Sequence, residues 1–152
     1  MGIFGIINTS ASGLTAERMR MDVISDNIAN VNTTETENGT PYRRKTVVFQ
    51  ERKTTDFRVP MDISKDMTGS QETKTGSGVR VVGIEEDASP FKYVYDPGHP
   101  NANAQGYVAM PNVNIVSEMT DMITATRAYE ANVTVINSAK GMATAALGIG
   151  KS

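Results

Sequence analysis

The stretch NVNIVSEMTDMITATRAYEANVTVINSAKGM, residues 112–142, carries the longest uninterrupted helical signal in the sequence. No proline interrupts residues 112–147, and only Gly141 weakens the pattern. Apolar residues recur in alternating steps of four and three, which is the spacing of a coiled-coil seam. We therefore predict a long helix that pairs through a narrow seam. The predicted seam consists of Ile115, Met119, Met122, Thr126, Tyr129, Val133, Ile136, Lys140, Ala143 and Leu147.

The other end of the chain has the same rhythm over residues 3–31, with three glycines weakening its beginning. A helix of this length measures about 40 Å. Its seam consists of Ile3, Ile7, Ser10, Leu14, Glu17, Met21, Ile24, Ile28 and Val31. Neither helix can bury such a seam alone, so we expect the two to pair with each other, with other chains, or both.

The central residues have a different pattern. Residues 33–42 are polar and turn-rich, and residues 42–51, 78–86 and 91–95 have the β-branched and aromatic content of strands. Residues 51–75 are polar and without periodicity, which predicts a long exposed loop. We expect three or four short strands in one small β-unit.

These patterns divide the chain into an N-terminal helical segment at 1–33, a β-rich region at 34–111 and a C-terminal helix at 112–152. The predicted fold class is α+β. Its simplest geometry is a coiled-coil-like antiparallel hairpin of the terminal helices, with the β-unit at the far end of the hairpin.

The composition excludes several kinds of protein. Lys and Arg number 15 against 17 Asp and Glu, a balance that argues against nucleic acid as the main partner. The absence of cysteine excludes disulfides and thiolate metal sites. No run of about 20 apolar residues suits a membrane span, and the N-terminus lacks the basic region of a cleaved signal peptide.

No group of residues indicates catalysis. His99 lies in a DPGHP turn with few acidic neighbours, and the basic triplet at 43–45 is interpreted as a charged strand face. We therefore predict no catalytic, cofactor-binding or metal-binding residues, no cofactor and no enzymatic activity.

Three blocks of the sequence resemble one family. Residues 10–34, SASGLTAERMRMDVISDNIANVNTT, resemble the N-terminal motif of the rod, hook and hook-associated proteins of the bacterial flagellum. The C-terminal helix resembles the matching terminal helix at Glu118-Met119 and at residues 128–132, AYEAN. Residues 76–116, with the turn at 96–100, are similar to the block that distinguishes the C-type proximal rod proteins within that family.

This resemblance implies a structural subunit of the flagellar basal-body rod. Such proteins are exported unfolded through the flagellar type III apparatus without a cleaved signal peptide. They assemble into a hollow helical shaft in the periplasm, which transmits torque and conducts exported proteins. The implied partners are other rod proteins, the basal ring protein with its adaptor, and the export gate. The alternatives are another axial subunit and a chaperone or adaptor of the export system.

The helices supply the candidate assembly interface. We interpret Asn27 and Asn30 as a polar stripe that hydrogen-bonds neighbouring helices and fixes their register. The predicted interface residues are Ile7, Leu14, Met21, Ile24, Asn27, Ile28, Asn30, Val31, Thr33, Met119, Met122, Tyr129, Asn132, Val133 and Ile136.

Overall fold

The computed structural model describes residues 2–52 and 77–149. In these residues the chain forms two long helices and four short strands, which confirms the α+β class. The elements in chain order are α1 (Ile3–Ala29), β1 (Lys45–Glu51), β2 (Val79–Glu86), β3 (Lys92–Tyr95), β4 (Tyr107–Met110) and α2 (Ile115–Ile149).

The two helices pack against each other in opposite directions. Asn27 near the end of α1 contacts Glu118 near the beginning of α2, and Gly13 contacts Asn132 further along. Helix α1 ends where the backbone N–H of Asn30 donates to the Asp26 carbonyl. The last turns of α2 extend beyond the beginning of α1, because α2 has 35 residues and α1 has 27.

The inward face of α2 differs from the predicted seam. Glu118, Ala125 and Ala139 are buried, whereas Met119 and Leu147 are exposed. The buried residues 118, 125 and 139 each lie one position before a predicted seam residue, whereas positions 122, 129, 133, 136 and 143 of the predicted seam are partly buried. At positions 125 and 139 the buried alanine is smaller than the predicted seam residue that follows it, which allows the two helices to approach closely.

The predicted seam of α1 agrees better with the structure. Ser10 and Ile24 are buried, and the other described seam positions are partly buried. This face meets α2, so α1 buries its seam within its own chain.

The strands form two separate antiparallel pairs rather than one β-unit. Strand β1 pairs with β2, with a register irregularity between Val48 and Phe49, and β3 pairs with β4. Val79 and Val81 point inward on β2, while Val82 and Ile84 point outward.

The β1–β2 pair lies alongside α1 and not at the far end of the hairpin. Asn27 contacts Lys45 at the beginning of β1, and Ser12 accepts a hydrogen bond from the N–H of Val79 at 3.1 Å. Residues 12 and 27 of α1 are about 22 Å apart, and seven strand residues span about 23 Å, so sheet and helix segment match in length. The pair therefore covers a side of α1 that α2 leaves open.

The predicted polar loop lies almost entirely outside the described residues. Within the described ranges, neither helix combines the length and apolar character needed to cross a bilayer.

Candidate assembly surface and buried polar cluster

Asn27 occupies the junction of α1, β1 and α2. Only 1% of its surface is exposed. Its amide nitrogen donates to the Lys45 carbonyl at 2.9 Å and to Glu118 Oε2 at 3.0 Å. Its amide oxygen accepts from the Lys45 N–H at 2.9 Å and lies 3.0 Å from the Tyr42 hydroxyl. This buried side chain therefore has partners for both donors and both acceptor positions.

Among the described residues, Glu118 is the acid that is fully buried. Its Oε1 accepts from Arg44 Nε at 2.5 Å, and Arg44 also donates to Asp121 Oδ2 at 3.2 Å. A buried carboxylate needs such partners because desolvation of an isolated charge is costly. Burial by itself lowers the pKa of Arg44, but hydrogen bonding and attraction to Glu118 produce a net rise. The guanidinium thus stays charged and ties β1 to α2.

Tyr42 completes the group, which we call the polar cluster: Asn27, Tyr42, Arg44 and Glu118. Its hydroxyl lies 3.0 Å from both Asp26 Oδ2 and Asn27 Oδ1, and it donates to one of them at a time. Burial raises the pKa of Tyr42 well above its usual range, and the hydrogen bond to Asp26 raises it further. The hydroxyl therefore stays protonated and serves as a donor.

A second close contact joins the helices towards the beginning of α1. A methyl group at Gly13 would lie 3.0–3.1 Å from the amide atoms of Asn132. Glycine is the residue that leaves room for that amide. The N-terminal block at residues 10–34 and the AYEAN stretch thus meet at one point of the hairpin.

A second face of α2 carries large apolar side chains that the described chain leaves largely exposed. We call Ile115, Val116, Met119 and Ile123 the outer stripe, since their spacing places them on one side of the helix. Val116 is 73% exposed and Ile123 is 54% exposed. Val135, Met142, Leu147 and Ile149 are exposed further along α2. Contiguous apolar surface of this kind is typical of an interface.

Comparison with known proteins gives the family. Residues 7–35 match the family described as flagella basal body rod protein, and residues 104–149 match the flagellar basal body rod FlgEFG protein C-terminal family. The chain is 50% identical to the flagellar basal-body rod protein FlgC of Borreliella burgdorferi, with 98% of each chain covered. The chain belongs to the FlgC family of flagellar basal-body rod proteins.

Further FlgC proteins match over the same length. Identity is 48% to the protein of Bacillus subtilis and 38% to that of Escherichia coli O6:H1, with 99% of this chain and all of each relative covered. The chain is therefore a structural subunit of the flagellar basal-body rod. None of these matches belongs to an enzyme family.

Most of the interface residues predicted from the sequence face this FlgC chain's own elements. Met119 is the exposed member of the set, Ile24 and Asn27 are buried, and the remaining members are partly buried. Asn27 does hydrogen-bond a neighbouring helix, but that helix is α2 of the same chain. Asn30 donates to Asp26 of its own helix and accepts from Thr33. Contact of the set with other subunits stays a prediction.

The basic triplet at 43–45 has a structural role that its sequence pattern does not indicate. Arg44 belongs to the polar cluster, Arg43 lies 4.4 Å from the centre of the Phe91 ring, and Lys45 contacts Asp26 at 3.2 Å. A signal was available, because an acid at an inward helix position such as Glu118 requires a cation from elsewhere. The sequence does not say which cation.

The DPGHP turn that contains His99 has a local structural role. His99 lies in the turn after β3, where its Nδ1 accepts from the N–H of Asn101 at 3.1 Å. Across residues 2–52 and 77–149, no three His, Cys, Asp or Glu side chains come together as a metal site.

Proposed function

We propose that this rod subunit assembles with other rod proteins into a hollow helical shaft that transmits torque and conducts exported proteins. The shaft lies in the periplasm and joins the basal ring, with its adaptor, to the hook. The chain reaches it through the type III export gate without a cleaved signal peptide. In the assembled shaft the terminal helices pair in a coiled-coil-like manner and line the inner tube.

The outer stripe of α2 carries this proposal. Burial of apolar surface contributes about 25 cal/mol per Å² of favourable free energy. A neighbouring subunit that covers these four large side chains is therefore bound more tightly. Helix α2 buries Glu118, Ala125 and Ala139 and leaves larger apolar side chains exposed, which suits a subunit whose packing is completed by its neighbours. Contact of the partly buried predicted interface residues with neighbouring subunits is part of this proposal.

Substitution in the outer stripe tests the proposal. Ile123→Asp places a charge where a neighbouring subunit would bury it, and an unpaired buried charge costs several kcal/mol. We expect the variant to be nearly absent from purified basal bodies and its cells to be non-motile. Immunoblots of basal bodies and swimming assays measure both.

The matched control is Ile123→Leu, which keeps apolar volume at the same position and is expected to assemble normally. Circular dichroism of both purified variants checks that the helices remain. Normal incorporation of Ile123→Asp would contradict the proposal.

A further inference from the structure

A groove runs between α1 and β2 on the side of the molecule away from α2. Its volume is about 320 Å³. Ala16, Met19, Val79 and Val81 supply apolar walls, and Arg52 and Arg80 lie at its margin. Arg80 donates to the Gln50 side chain at 2.7 Å, and neither arginine forms an ion pair with any residue in the described ranges. We call this feature the arginine groove.

The outward face of β2 presents the complementary chemistry at the other end of the strand. Val82 is 58% exposed and Ile84 is 49% exposed, although both are apolar. Glu85 and Glu86 follow and are exposed, again without an ion pair to a described residue. We call residues 82–86 the acidic ridge.

One copy of the chain cannot bring these two features together. The groove residues 79–81 and the ridge residues 82–86 follow one another along the same strand, so one copy cannot fold the ridge onto its own groove. Arg80 and Glu85 are also separated by about 17 Å along the strand. The ridge of a second copy is subject to neither restriction and can approach the groove.

We propose that the arginine groove of one copy receives the acidic ridge of a second copy of this chain. Apolar side chains of the ridge meet the apolar walls, and Glu86, on the same strand face as Ile84, approaches Arg52 and Arg80. The two surfaces are different, so the contact is heterologous, and repetition of such a contact generates a ring or a helix. This proposal rests on the proposed rod function and names a contact between copies within it.

Cysteine crosslinking tests the contact directly, because the natural chain contains no cysteine. The double variant Met19→Cys with Ile84→Cys places one thiol in the groove and one on the ridge. After oxidation of purified basal bodies, we expect disulfide-linked dimers and larger multiples of this chain. Each single variant is the matched control and is expected to remain monomeric on a non-reducing gel.

A charge exchange provides the second test. Arg80→Glu and Glu86→Arg, each introduced alone into the cysteine pair, should lower the yield of crosslinked dimer about tenfold, since like charges then face each other. The combination of both exchanges should restore the yield. Lys92→Glu on β3 changes the net charge equally, lies outside both surfaces and should leave the yield unchanged.

The outcomes separate this contact from the rod function. Incorporation into basal bodies is read from the immunoblot, whatever the crosslinks show. Incorporated double-cysteine chain without crosslinks, or crosslinked to a different protein, overturns the contact and leaves the rod function standing. If the cysteine pair prevents incorporation, the charge exchanges are scored by incorporation instead, and failure of the combined exchange to restore it overturns the contact.

Discussion

The two ends of the helical hairpin are held together in different ways. At the end near Asn27, charged and amide side chains from α1, β1 and α2 meet in the polar cluster. At the other end, residues 2–16 contain no charged residue and residues 131–149 contain only Lys140. There the helices meet through small residues such as Gly13 and Ala139.

This difference separates two tasks. Hydrogen bonds and ion pairs are directional, so the polar cluster specifies one arrangement of the three elements. Contacts between small apolar residues are less directional, and the uncharged end leaves Phe4, Leu147 and Ile149 exposed. We infer that the polar end fixes the subunit's shape and that the uncharged end depends on its neighbours.

The largest effect is expected from Glu118→Gln, which attacks the polar end. Both partners of the carboxylate, Arg44 Nε and Asn27 Nδ2, are donors, and an amide offers only one acceptor oxygen. One buried donor is left unpaired, and Arg44 keeps only the more exposed Asp87 and Asp121 as counter-charges. We expect a loss of about 3 kcal/mol in the free energy of unfolding, measured by urea denaturation of the purified chain.

Glu130→Gln is the matched control for that substitution. Glu130 is exposed on α2 and pairs with no described cation, so its change should stay within about 0.5 kcal/mol. Equal effects of the two substitutions would mean that the polar cluster does not hold this end.

A smaller effect is expected on the free energy of unfolding at alkaline pH. The pKa of Tyr42 is raised in the folded chain, so folding favours its protonated form. The contribution of Tyr42 to the free energy of unfolding is fully present below the unfolded pKa of about 10. As the pH rises above that value, the contribution is lost by at most about 1.4 kcal/mol per pH unit. Tyr42→Phe should flatten the stability curve between pH 9 and 11, a range set by that reference pKa. An unchanged slope in denaturation across this range would count against the buried hydroxyl.

The smallest effect is expected at the uncharged end. Gly13→Ala crowds the Asn132 amide and should lower the free energy of unfolding by about 1 kcal/mol. In an Asn132→Ala background the same substitution should raise it by about 1 kcal/mol, since alanine favours a helix over glycine. The double-mutant cycle measures this coupling. Stabilisation by Gly13→Ala in the natural background would show that the contact does not limit packing.

Sequence periodicity is sufficient to locate the two helices but not to identify the residues through which they contact each other. Apolar spacing located α1 and α2 and placed Ile24 on an inward face. The apolar pattern places Met119 rather than Glu118 in the seam because it ranks side chains by hydrophobicity. The structure instead buries Glu118, whose charge is paired with Arg44. Strand patterns located β1, β2 and β3, but the separation into two pairs depends on long-range pairing that local patterns do not encode.

The amide of Asn27 has a mechanical consequence. Because it bonds both the N–H and the C=O of Lys45, it stands beside β1 as a peptide group of an additional strand would. A force that slides the strand along the helix therefore loads both bonds at the same moment, so the contact resists sliding more than a single hydrogen bond would. One side chain thus converts a helix–strand contact into a joint that is stiff in shear.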